Sequence, residues 1–236
     1  MLTALECIEC IDLTKCYKGS KPALNHVNIK LTAGRIIGLL GPNGSGKTTF
    51  LKLAAGLLTP TEGSILLHGG KPGPDTKAFV SYLPDRTYFD NFKRVSDLLD
   101  YFKTFFMDFD RNKALRLLTD LGIRPDDRIK SMSKGTKEKM ELILTVSRDA
   151  AIYLLDEPIG GVDPAAREYI LQTILANYNR EGTMIISTHL IQDIEHILDD
   201  VLFIKDGEFV LFDTVEHLRN TEQKSVDELF REVFRC

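Results

Sequence analysis

The octet GPNGSGKT, Gly41 to Thr48, sits between a short apolar run, RIIGLL, and a stretch of helical periodicity, KTTFLKLAAGLL, that stops at TPTEG. It constrains the fold more than any other segment, because it fits G-x-x-x-x-G-K-[ST] between a buried strand and a helix. In that setting bare backbone N–H groups wrap phosphates at the positive end of the helix, and a lysine reaches the β and γ oxygens. Gly41, Pro42, Asn43, Gly44, Ser45, Gly46, Lys47, Thr48 and Thr49 are therefore read as a nucleotide-binding loop. ATP is the expected ligand, with the Thr48 hydroxyl on Mg²⁺.

A buried strand of this kind belongs in a parallel sheet, and later segments repeat the pattern. AIYLLDEP, PAAREYILQTILANYN, TMIISTH and LIQDIEHIL alternate strand and helix, as an α/β core does. Before the loop, LECIECIDLT and ALNHVNIKLT alternate apolar and polar residues around the turn-like YKGSKP, which predicts an N-terminal antiparallel β-layer. From about residue 95 to 149 the chain turns helical, through SDLLDYFKTFFMDF, RNKALRLLTDLGI and a segment opening at Ser133. Within it Leu98, Phe102, Phe105 and Phe109 form an expected core stripe. Tyr101 and Phe106 lie off that stripe and are candidates for docking a short helix of a membrane protein. DDVLFIKDGEFVLFD, turning at Asp206-Gly207, predicts a hairpin ahead of a short helix in SVDELFREVF, so residues 200–236 close the chain. One domain over residues 1–236 is expected.

Bulk properties remove several function classes. A formal charge of −4 and a pI near 5.8 argue against nucleic acid as the main partner. No run approaches the ~18 apolar residues needed to cross a bilayer, and MLTALECIEC lacks the basic start and small-residue cleavage site of a signal peptide. A cytoplasmic location is expected. Cys7 and Cys10 are spaced C-x-x-C with no second pair to complete a zinc site, and Cys16 and Cys236 fit no metal spacing; reduced structural thiols are expected.

Two further strands end in chemistry. AIYLLDEP delivers Asp156 to the carboxyl end of its strand, where ligands bind in open α/β sheets, and Glu157 follows. Asp156 is suited to hold Mg²⁺ through water. Glu157 is suited to orient or deprotonate an attacking water beside the γ-phosphate. IISTHL places His189 at a parallel strand tip, facing the same crevice.

Taken together these residues resemble the nucleotide-binding subunits of ABC transporters over nearly the whole chain. The resemblance implies a P-loop NTPase core with an inserted helical subdomain, and an ATPase whose two copies, identical or paralogous, sandwich two Mg-ATP. It also implies transmembrane permease subunits as partners, which would hold the chain peripherally on the inner face of the cell membrane. In that family the insert carries a signature, usually Leu-Ser-Gly-Gly-Gln, that caps the γ-phosphate of the opposite subunit. MSKGT, Met132 to Thr136, falls at the matching place, which assigns Ser133 and Gly135 to the partner's nucleotide. Tyr17 matches the aromatic residue that stacks on adenine, Asp163 matches the acid linking the two subunits, and His189 matches the switch histidine. Three departures stand out. Lys134 and Thr136 replace Gly and Gln in the signature, Ile159-Gly160 replaces Thr-Ser, and Asp85 replaces the Gln that senses Mg²⁺ and the membrane partner. A carboxylate at Asp85 still suits a water-mediated metal contact, and acidic residues there resemble some export-type members.

Overall fold

The computed structural model describes residues 6–19, 21–85 and 89–234; Cys236 lies outside them. Two sheets organise the chain. The first is antiparallel, with β1 (Glu6–Cys16) between β2 (Pro22–Thr32) and β4 (Glu62–Leu67). The second has β5 (Val80–Leu83), β6 (Ile152–Asp156), β7 (Thr183–Thr188), β3 (Ile36–Leu40), β8 (Asp200–Lys205) and β9 (Glu208–Thr214), in that spatial order. Its first five strands are mutually parallel, and β9 returns antiparallel at the edge.

The central strands read as unbroken apolar runs because both faces of the sheet are covered. Parity divides them. Ile37 and Leu39 of β3, Ile152 and Leu154 of β6, and Leu202 and Ile204 of β8 pack with α1 (Lys47–Ala54) and the antiparallel sheet. Their alternate neighbours, among them Leu40, Leu155 and Phe203, pack on the opposite face. There they meet α5 (Pro164–Asn177), α7 (Val215–Glu222) and α8 (Val226–Val233). Each fully buried Leu or Ile contributes roughly 1.5–3 kcal/mol, so the strand ends are anchored from both sides.

Between β5 and β6 stand α2 (Val95–Phe105), α3 (Arg111–Asp120) and α4 (Lys134–Val146) around a separate apolar cluster. The stripe expected there is only partly realised. Leu98, Phe102 and Phe109 are buried, but Phe105 is 64% exposed. The helix ends at Phe105, and Phe106 caps it in an extended conformation, so Phe109 reaches the cluster from a separate segment rather than along one helical face. Tyr101 is exposed, whereas Phe106 is half-buried with the Arg148 guanidinium 4.0 Å from its ring centre.

Other boundaries also moved. LIQDIEHIL holds only the four-residue α6 (Ile191–Ile194) and a 3₁₀ turn. The chain end carries two helices, α7 and α8, rather than one, because Thr214 and Ser225 each cap a helix start with their side-chain oxygens. Cys7 and Cys10 are buried free thiols, and Cys16 is partly exposed and free. Burial raises the Cys7 pKa and pushes that of Cys10 up to about 12, which keeps both as inert thiols.

Candidate nucleotide site

The loop from Gly41 to Gly46 joins β3 to α1 and is shaped by close backbone contacts. Gly46 caps α1 at φ 114°, and a Cβ there would lie 2.4 Å from the Ala23 carbonyl oxygen. A Cβ on Gly41 would lie equally close to the Ile204 carbonyl oxygen, at 2.4 Å. Neither position tolerates a side chain. The Gly207 N–H donates to the Ser45 carbonyl at 3.0 Å, which ties the loop to the β8–β9 turn. Pro42, Asn43 and Gly44 form its exposed tip, and the first turn of α1 has no acid. The positive helix end is thus left for an anion.

Lys47 is 6% exposed. Its ammonium donates to the carbonyls of Gly41 (2.7 Å) and Pro42 (3.2 Å) and lies 3.5 Å from Glu157 Oε1. Asp156, the last residue of β6, is 1% exposed. Its Oδ1 accepts from Thr48 Oγ1 at 3.1 Å and Ser187 Oγ at 2.7 Å. Its Oδ2 is buried without a hydrogen-bond partner. Desolvation raises the pKa of this carboxyl, and the two hydroxyls oppose the shift. A buried carboxylate oxygen with no donor is costly. Beside the Thr48 hydroxyl it forms the hard-oxygen pair that suits Mg²⁺, so these residues fit that ion.

Glu157 adopts φ 51°, uncommon for a residue with a side chain. Its N–H is held by the Ser187 side-chain oxygen and carbonyl, each at 3.1 Å. The turn aims the carboxylate at both Lys47 and the His189 Nδ1, which lies 3.1 Å from Oε2. Tyr17 follows β1, is 42% exposed, and sets its hydroxyl 3.4 Å from that of Thr49. These distances gather Lys47, Thr48, Asp156, Glu157 and His189 into one centre, with Tyr17 and Thr49 in contact alongside.

The remaining sequence candidates gather around a cavity that Asp156 and Glu157 also line. Asp85, Ser133, Gly135 and Asp163 line a cavity of about 320 Å³, with Glu141 and Glu157 in its wall. Residues 41–48 line no part of it. Ser133 caps α4, accepting from the Thr136 N–H at 3.1 Å, and the two hydroxyls are 2.8 Å apart. Thr136, one of the departures, thus reinforces the cap. Lys134 is 88% exposed and stands 3.5 Å from Glu138, so its charge is directed along the helix surface. A Cβ at Gly135 would meet nothing within 4 Å. Asp85 and Asp163 are exposed.

Two residues escaped sequence reasoning. Ser187 orders both Asp156 and Glu157; a serine next to the last residue of a fully buried strand was the available signal, since buried polar groups need partners. Glu141 is 2% exposed on α4, its Oε1 has no hydrogen-bond partner, and burial pushes its pKa up to about 8. Its flanks in KEKMEL look like a solvated helix face, which hid it.

Comparison with known proteins agrees with this geometry. A family profile described as ABC transporter matches residues 24–160. A lantibiotic transport ATP-binding protein, SrtF of Streptococcus pyogenes, is 29% identical over 216 residues, 90% of this chain and 93% of that protein. The ABC transporter ATP-binding protein YtrB of Bacillus subtilis is 31% identical over 203 residues, 85% of this chain and 69% of that protein. Among solved structures, an ATP-binding subunit of an ABC transporter superposes with a TM-score of 0.85 at 24% identity, covering 97% of this chain and all of that one (100%). A dimeric ATP-binding cassette in a post-hydrolysis state with ADP and phosphate gives 0.76 at 21% identity, covering 88% and 98%. At such identities these two likenesses show the fold alone. The profile and the relatives carry the assignment: the chain belongs to the ABC transporter family, as one of its ATP-binding subunits.

Proposed function

We propose that this ATP-hydrolysing subunit binds Mg-ATP on Gly41–Thr49, stacks adenine on Tyr17, and pairs with a second nucleotide-binding subunit whose Ser133 and Gly135 complete the site. The observation that carries the reading is the Asp156–Glu157 pair: one buried carboxylate oxygen without a donor, next to a carboxylate aimed at Lys47. Lys47 neutralises the β and γ oxygens, and a bound Mg²⁺ would supply further positive charge to the phosphates. Thr48 and Asp156 would hold the ion directly or through water, with Asp85 in an outer position. Glu157 orients the attacking water and accepts its proton, and His189, bonded to that carboxylate, fixes its direction.

Coupling to a membrane partner is supported by a cleft lined by Leu57, Tyr82, Phe102, Phe106, Thr145 and Arg148, between the insert and the sheet. Its wall is largely apolar, with the buried Arg148 and the less buried Lys52 and Lys77 as its cations, and it suits a short helix laid in a groove. Permease subunits docked there would bring the chain to the inner face of the membrane. No helix among the described residues is long and apolar enough to cross a membrane itself. Export is the direction we favour, from Asp85 and from the likeness to SrtF, a lantibiotic transport ATP-binding protein. Replacing Glu157 with Gln tests the chemistry: ATP binding persists while turnover falls about 1,000-fold. Unchanged turnover would move the base away from Glu157.

A further inference from the structure

The insert carries a surface that nucleotide binding does not use. Asn91, Phe92, Lys93, Arg94, Arg128 and Lys130 line one cleft of the described residues, four cations with no acid among them. Two short segments bring them together. Arg94 and Arg128 form an antiparallel bridge pair, and the Ile129 N–H donates to the Lys93 carbonyl at 3.2 Å. Like charges directly opposite each other are unfavourable, so this pairing favours an anion between or above them.

Of the nearby acids among the described residues, only Asp126 pairs with a cation of the group. Asp97 accepts from the Arg94 N–H, Asp100 holds Arg111, and Asp127 accepts from the Arg124 N–H. Asp126 pairs with Arg94 at 3.2 Å while both remain largely exposed. Lys93, Arg128 and Lys130 have no ion-pair partner among the described residues. The chain as a whole is at −4, so the patch is a local reversal of its charge.

Beside the cations runs an aromatic ladder. Phe92, in the cleft wall, stands 5.1 Å from Tyr101, and Tyr101 stands 4.5 Å from Phe105 between ring centres. Phe105 is 64% exposed, and Met107 beyond it is 91% exposed. Clustered cations continuous with exposed aromatic and thioether side chains suit the boundary of an anionic bilayer. Phosphate headgroups meet the charges there, and amphipathic rings enter the interface. We propose that this face of the insert binds anionic phospholipid headgroups at a membrane surface, with Lys93, Arg94, Arg128 and Lys130 taking the phosphates and Phe105 and Met107 entering the interface.

The test is flotation of the full chain with vesicles of phosphatidylcholine alone or mixed with phosphatidylserine, with ATP binding measured in parallel as a check of folding. The expected result is binding to the anionic vesicles only, weakened by salt. Substituting Lys93, Arg128 and Lys130 together with Gln should lower it by about 100-fold, at about fivefold for each cation near an anionic surface. Phe105→Ser with Met107→Ser should weaken it while leaving its salt dependence intact. Equal binding to both vesicle types, no binding to either, or undiminished binding by the triple variant would overturn the proposal. Full competition by millimolar inorganic phosphate would also overturn it, and would reassign the cleft to a soluble phosphate ligand.

Discussion

The phosphate loop and the start of α4 are both glycine-bearing helix N-termini, yet the chain treats them differently. At the loop, carbonyl oxygens of Ala23 and Ile204 crowd Gly46 and Gly41, and Lys47 is held by the loop's own carbonyls and Glu157. This half of the site is specified inside one chain. At α4, Ser133 is satisfied by Thr136, and nothing in the chain approaches Gly135. A glycine with open space above it has no fold-level reason to be bare, and Lys134 and Lys139 line the same cavity as its helix end. The contrast supports the proposal that the start of α4 serves a nucleotide outside the chain.

The largest test of the first half is Lys47→Ala. With the charge that meets the phosphates removed, ATP affinity should fall about 100-fold, readable by equilibrium binding of a fluorescent nucleotide. Binding like wild type would break the comparison at its better-defined end.

Glu141 sharpens the other end, since it is buried on α4 itself, the helix that Ser133 caps. Its folded pKa of about 8 stands above the unfolded value, so its contribution to stability is full below about pH 4 and is lost as pH rises toward 8. Glu141→Gln should remove that slope, gaining roughly 2–4 kcal/mol on wild type at pH 8 in urea unfolding. Parallel pH profiles for the two proteins would contradict the assigned burial.

The smallest effect is expected at Asp85, exposed at the rim of the cavity. Asp85→Gln should change basal ATPase of the isolated chain by less than about tenfold, since a water-mediated contact is worth about 1 kcal/mol. Stimulation by a membrane partner should change more. Equal changes in both rates would argue against a transmission role for this residue.

Legibility in the sequence followed the same divide. The parallel core, the phosphate loop and the carboxylates at the end of β6 were readable because a motif, a buried strand and a helix had to coincide. The brief β4 and β5 were not, because EGSILL and VSYL carry too few alternations to stand out. Phe105 misled because it is the last residue of α2, and the helical spacing that runs on to Phe109 in the sequence is broken where Phe106 turns the chain away. Ser187 and Glu141 went unread since their roles depend on neighbours from distant segments.

The central claim is that Gly135 is kept bare for a second chain's nucleotide, and it is tested most directly by Gly135→Leu in the Glu157→Gln background. ATP-induced dimerisation would be followed by size exclusion with light scattering. The open space around Gly135 predicts unchanged monomer ATP affinity and an unchanged fold, with dimer formation weakened at least about tenfold by the intruding side chain. A Gly135→Leu protein that still dimerises with ATP as tightly as its parent would contradict the account.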